Sequence, residues 1–258
     1  MSRTISADGT SIAFDRVGQG PALIIVGGGP TDRSANNQLV ELLAPNFTVF
    51  NYDRRGHGGS GDTRPYAVSR EYEDLEALIH EAGQAVHMYG TSGGGMIALE
   101  AAARGLAINR LAVWEPPYIV DDSRAPVPAD YQQQLVDLLA ENRRGDMVEL
   151  FFTTAVGMPA EHVTPMRQMP FWKDTEAVAH TLVYDAMITG DFSLPAERIA
   201  NVPVPTLVVD GGTTPWLTAA AGALADVVPN VRRATLSGQP HNVDAAAIAP
   251  TLAEFLVD

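Results

Sequence analysis

The sequence predicts an α/β fold, a mostly parallel sheet with helices on both faces, and three observations carry that prediction. Short runs of consecutive apolar residues recur, such as "PALIIV" and "RLAVW". A strand that is apolar on both sides is one covered from both sides. Longer segments with apolar residues at helical spacing fall between these runs, and several of the runs end in glycine-rich turns. Such alternation joins parallel strands through crossover helices.

In chain order, "TSIAFDRVG" reads as an early strand, Pro21 to Val26 as a buried one and Phe47 to Tyr52 as another. "SREYEDLEALIHEAG" predicts a helix with Ser69 as its cap, Leu75, Leu78 and Ile79 on one face, and Gly83 as its stop. "AVHMYG" is a strand, a helix continues out of the following glycines from Met96 to Arg104, and "RLAVWE" is the next strand. Between Pro116 and about Val202 the alternation breaks. Apolar residues there keep helical spacing ("YQQQLVDLLAENRR", "MVELFFTTAVG", "TEAVAHTLVYDAMITG"), which predicts an insertion of several helices. Strand and helix then alternate again through "VPTLVVDGG", a helix from about Trp216 to Val228, "VRRATLSG" and a last helix in "DAAAIAPTLAEFLVD". The expected division is a core of residues 1–116 and 203–258 with a helical insertion at 117–202.

Composition narrows the function classes. With 258 residues, 46% of them hydrophobic and 19% charged, the chain can bury a sizeable core. Seventeen basic against 31 acidic residues leave a net charge of −14, which argues against a nucleic-acid partner. Without cysteine there is no disulfide scaffold, thiolate zinc site or cysteine nucleophile. No apolar run approaches the roughly 20 residues that span a bilayer, so the chain is read as cytoplasmic with no membrane partner. No cofactor or metal is expected, and oligomeric state is not legible.

One stretch concentrates the chemistry. In "HMYGTSGGGMIAL", Ser92 stands among glycines between a strand and a helix. With "VGGGP", "YDRRGHGGSG" and "SGQPHNVD", it makes the chain resemble the α/β-hydrolase fold over essentially its whole length. The resemblance implies a nucleophile at Ser92, lifted out of a strained strand-to-helix turn whose neighbours must be small, here Gly90 and Gly94. It also makes the helical insertion a cap that follows the sixth strand of the fold.

A serine hydroxyl needs a base to take its proton. His241 is the candidate, in a loop after the last strand, in the serine–acid–histidine order of this fold. His57 lies in a turn that the resemblance makes structural, and His80, His87, His162 and His180 fall in helices, strands or the insertion. The acid departs from the commonest family pattern, because "DGGTTPW" carries Thr213 and Thr214 where a carboxylate is usual. Glu115, 23 positions after Ser92 in "AVWEPPY", is favoured, since some members of the fold draw their acid from that strand end. Asp210, immediately before Gly211, is the alternative. For the oxyanion hole the resemblance implies the N–H groups of Gly29 and Gly93, although Gly27 and Gly28 replace the frequent histidine and glycine.

The insertion is rich in Met147, Met158, Met166, Met169, Met187, Phe151, Phe152, Phe171, Trp172 and Tyr184. Most are expected to pack between helices. The cluster "MRQMPFW" is expected to give pocket residues, Met166, Met169, Phe171 and Trp172, and soft apolar linings suit apolar or aromatic acyl groups. The expected activity is metal-free hydrolysis of an ester, thioester or lactone of a small to medium apolar substrate through an acyl-enzyme. Peptidase, carbon–carbon hydrolase and perhydrolase chemistry stay open. A non-hydrolytic lyase, cyclase or ligand-binding protein is the alternative from another class.

Overall fold

A computed structural model describes residues 1–257. Strands β1 (Ser2–Ile5), β2 (Ser11–Gly18), β3 (Ala22–Val26), β4 (Thr48–Tyr52), β5 (Val86–Thr91), β6 (Ile108–Trp114), β7 (Thr206–Gly212) and β8 (Val231–Gln239) form one eight-stranded sheet. Their order is β1-β2-β4-β3-β5-β6-β7-β8. The β1/β2 and β2/β4 pairs are antiparallel and all the others parallel. Alternate residues of β3 serve opposite faces, as a pleated strand requires. Ala22, Ile24 and Val26 enter one apolar core, and Leu23 and Ile25 the other.

Each core is closed by its own helices. Leu75 and Leu78 of α2 (Ser69–Ala82), Ile97 of α3 (Gly93–Ala103) and Leu224 of α10 (Pro215–Val227) cover the first. Leu39 and Leu43 of α1 (Asn37–Leu43) with Ile248 and Leu252 of α11 (Ala245–Val257) cover the second. The fold is therefore the expected α/β architecture. Among the described residues, no helix is long and apolar enough to cross a membrane.

Between β6 and β7 run α4 (Tyr131–Ala140), α5 (Arg144–Leu150), a π-helical turn (Phe151–Ala155), α6 (Ala160–Met166), α7 (Pro170–Ala177), α8 (Thr181–Thr189) and α9 (Ala196–Ile199). These helices bury a third apolar cluster that includes Leu135, Met147, Val148, Trp172 and Leu182. One local expectation is corrected. Ser69 is the first residue of α2 rather than its side-chain cap, because Val68 is already helical and turn bonds run from Arg70 N to Ala67 O and from Glu71 N to Val68 O. Gly83 ends that helix in the left-handed region, as its position predicts.

The turn after β4 buries an unusual amount of charge. Arg55 donates to Asp74 at 2.7 and 2.9 Å and to Asp8 at 3.0 Å. Arg54 donates to Glu71 at 2.8 Å and to Asp185 of α8 at 2.8 Å, so this turn links the sheet to the helical segment. His57 is buried, its Nδ1 3.0 Å from the Arg55 carbonyl. Its role here is structural.

Burial, and secondarily the Arg110 charge, hold the His87 imidazole below its ordinary pKa, so it folds neutral. Protonation then favours the unfolded chain, and the stability His87 contributes is present above its unfolded pKa near 6.5 and is lost as pH falls through the lower folded value. His87→Gln removes that titration. The wild-type Tm should fall relative to that of His87→Gln when thermal melts at about pH 7.5 are repeated at about pH 5.5, and parallel melting curves would show that His87 does not titrate on unfolding.

Candidate active site

The strand order reverses between β3 and β5, whose carboxyl ends therefore stand beside an open crevice. Ser92 follows β5 there with φ 53° and ψ −127°, a conformation that few side-chain-bearing residues adopt. The turn exists because its neighbours lack side chains. A Cβ on Gly90 would lie 2.6 Å from the Gly94 carbonyl oxygen, and one on Gly94 would collide with the Val26 carbonyl. Gly28 makes the same allowance on the β3 side, where a Cβ would stand 2.8 Å from the Ser92 Cβ.

His241 comes to Ser92 from the segment between β8 and α11, with Nε2 3.1 Å from the serine Oγ. Its Nδ1 lies 2.7 Å from Oε2 of Glu115. A carboxylate only accepts, so Nδ1 carries the proton and Nε2 is left to accept from the serine hydroxyl. Glu115 is wholly buried just beyond β6, also at positive φ. Its Oε1 accepts from Gly211 N at 2.9 Å and its own N–H donates to Val209 O at 3.1 Å, which fixes the carboxylate in place. The Trp114 indole donates to the His241 carbonyl at 2.8 Å and steadies the histidine segment. Ser92, His241 and Glu115 thus form one continuous hydrogen-bonded chain.

Asp210 is elsewhere engaged. Its Oδ2 accepts from Arg233 and Thr235, both at 3.1 Å, and its Oδ1 from Gly212 N at 3.0 Å. It braces the end of β7 against β8 and makes no bond to His241.

The hydrogen-bonded chain opens onto a cavity of about 760 Å³, with Ser92, His241, Gly29 and Gly93 in its wall. The opposite wall comes from the helical segment and includes Phe151, Phe152, Met158, Met166 and Phe171. Two of the four expected pocket residues are therefore misplaced by the sequence reading. Met169 precedes α7 and is 51% exposed to solvent. Trp172 is turned into the core of the helical segment, where its indole donates to Glu176 at 3.0 Å and its ring packs 6.1 Å from Phe152. Tyr131, Asp185, Trp216 and Ile248 line the cavity without having stood out in the sequence. Asp185 left one trace, a single charge within the apolar run "TLVYDAMI".

This sheet, with its nucleophile-like turn and facing histidine, defines an α/β hydrolase. Residues 23–251 match the model of the alpha/beta hydrolase family, and the chain belongs to that family. A solved alpha/beta hydrolase from Sphaerobacter thermophilus is similar at 54% identity, with 98% of this chain and 99% of that one covered and a TM-score of 0.94. An enol-lactonase from Burkholderia xenovorans shares the fold at 24% identity, with both chains fully covered and a TM-score of 0.74. Among curated relatives, an uncharacterized hydrolase of Bacillus subtilis is 25% identical over 151 residues, which are 57% of this chain and 55% of that protein. The match thus spans about half the length of that relative.

Proposed function

We propose that the protein is a serine hydrolase that cleaves an ester, thioester or lactone of a small to medium apolar or aromatic acyl substrate. The observation that carries this reading is the Ser92–His241–Glu115 chain, with contacts of 3.1 and 2.7 Å, at the wall of a largely apolar cavity. Ser92 Oγ attacks the carbonyl carbon while its proton passes to His241 Nε2. The tetrahedral oxyanion is received by the N–H groups of Gly29 and Gly93, the latter at the start of α3, where the helix dipole favours negative charge. Collapse expels the alcohol or thiol, which takes the proton from His241. Water then repeats the sequence on the acyl-serine and releases the acid. Glu115 holds the imidazole in the productive tautomer and stabilises the imidazolium.

In this reading the helices between β6 and β7 act as a cap, residues 117–202, on a core of residues 1–116 and 203–258. Their Phe and Met side chains set the size and polarity of what the cavity accepts. The test combines a panel of acyl esters of graded size with a fluorophosphonate probe, whose adduct is located by mass spectrometry. Ester turnover with the adduct on Ser92 is the expected result. No turnover, or an adduct elsewhere, overturns the reading.

A further inference from the structure

The cavity wall carries a charge that hydrolysis at Ser92 does not use. Among the described residues lining it there is no Lys, Arg or Glu, and the one carboxylate is that of Asp185. Asp185 sits on α8, and Ala186 and Thr189 of the same helix also reach the cavity. Its Oδ1 is held by Arg54 Nη1 at 2.8 Å. Its Oδ2 is buried and has no hydrogen-bond partner.

The surrounding donors are committed elsewhere. Arg54 turns Nε and Nη2 to Glu71, at 3.3 and 2.8 Å, and the Tyr66 hydroxyl donates to the same glutamate at 3.0 Å. One guanidinium therefore faces two carboxylates, and the group keeps an excess negative charge. The Thr189 hydroxyl donates to the backbone carbonyl of Asp185 at 3.0 Å rather than to its side chain. Burial, and then the Arg54 charge, keep nearby His57 neutral. A desolvated carboxylate oxygen without a donor is costly, and a cavity that retains one is matched to a ligand that supplies the donor.

We propose that Asp185 determines substrate specificity, selecting substrates that carry a hydrogen-bond donor, a hydroxyl or a protonated amine, away from the scissile bond. This rests on the hydrolase reading above. The donor fills the open valence of Oδ2, while the apolar wall takes up the chain between donor and carbonyl. A substrate ending in a carboxylate meets like charge and is rejected. A purely structural Asp185 would need only the Arg54 contact, and its loss would slow all substrates alike.

The test compares kcat/KM for p-nitrophenyl esters of straight-chain acids of graded length that end in methyl, hydroxyl, ammonium or carboxylate. At one length the hydroxyl or ammonium ester should exceed the methyl ester by about 10- to 100-fold, the range for one hydrogen bond to a charged group. Which of the two leads identifies the donor. In Asp185→Asn the amide oxygen stays on Arg54 and the NH₂ takes the place of Oδ2, so the preference should vanish or invert. If that variant fails to fold, the wild-type ratio decides. Equal rates for methyl and donor-bearing esters at every length, or an unchanged ratio in Asp185→Asn, overturn the proposal and leave the hydrolase reading standing. Calorimetry with the corresponding ethyl esters on Ser92→Ala reads the preference as Kd without turnover. A preference there with an inactive wild type overturns the hydrolase reading alone, and no preference in either assay removes the role of Asp185.

Discussion

Ser92→Ala is expected to lower kcat by about 10⁶-fold, the loss seen when a nucleophile is removed from a triad acting as a unit. Fluorophosphonate labelling and any burst of released product should disappear with it. The fold should survive. The serine hydroxyl is bonded only to His241 Nε2, and alanine keeps the Cβ that the tight turn already accommodates. The backbone strain at φ 53° is borne by the packing of Gly90 and Gly94, which the substitution leaves untouched. Stability should therefore change by less than about 1 kcal/mol, within the range of a substitution that creates no cavity and buries no orphaned group. A variant that folds and still turns over esters at the wild-type rate would end the serine mechanism.

What the sequence made legible follows from how locally each feature is determined. The turn at Ser92 could be read because its geometry forbids side chains at neighbouring positions, and glycine is visible in a sequence. Glu115 could be singled out because a charge at the end of "LAVW" needs a partner if it is buried. The rejection of Asp210 could not be read. It depends on Arg233 and Thr235, brought alongside by the β7/β8 register that pairs Asp210 with Thr235. Strand β1 escaped notice because an exposed edge of four residues has too few apolar positions to show a period, and α1 is only seven residues long. In the helical segment, spacing identified the helices but not which face of each meets the cavity. Trp172 was therefore assigned to the pocket instead of the helical core, and Asp185 was passed over.

Glu115→Gln is expected to lower kcat by about 10³- to 10⁴-fold, with a much smaller change in KM, and Asp210→Asn by less than about tenfold. The reason lies in the two hydrogen bonds that the Glu115 carboxylate accepts, from Gly211 N at 2.9 Å and from His241 Nδ1 at 2.7 Å. Glutamine keeps the shape but has only one accepting end. If its oxygen stays with Gly211, its NH₂ faces Nδ1 and drives the proton to Nε2, where the imidazole donates to Ser92 instead of accepting from it. If the amide is turned over, two N–H donors meet at Gly211, and the charge that stabilised the imidazolium is lost all the same. Both orientations fail at the same step. Asp210→Asn instead weakens the contacts with Arg233 and Thr235 at the edge of the sheet, so its cost should appear in Tm rather than in kcat. Steady-state kinetics and thermal melts on both variants separate the two. A large loss of kcat in Asp210→Asn, with Glu115→Gln at the wild-type rate, would mean that His241 is served by the other carboxylate during turnover and would overturn the role assigned to Glu115.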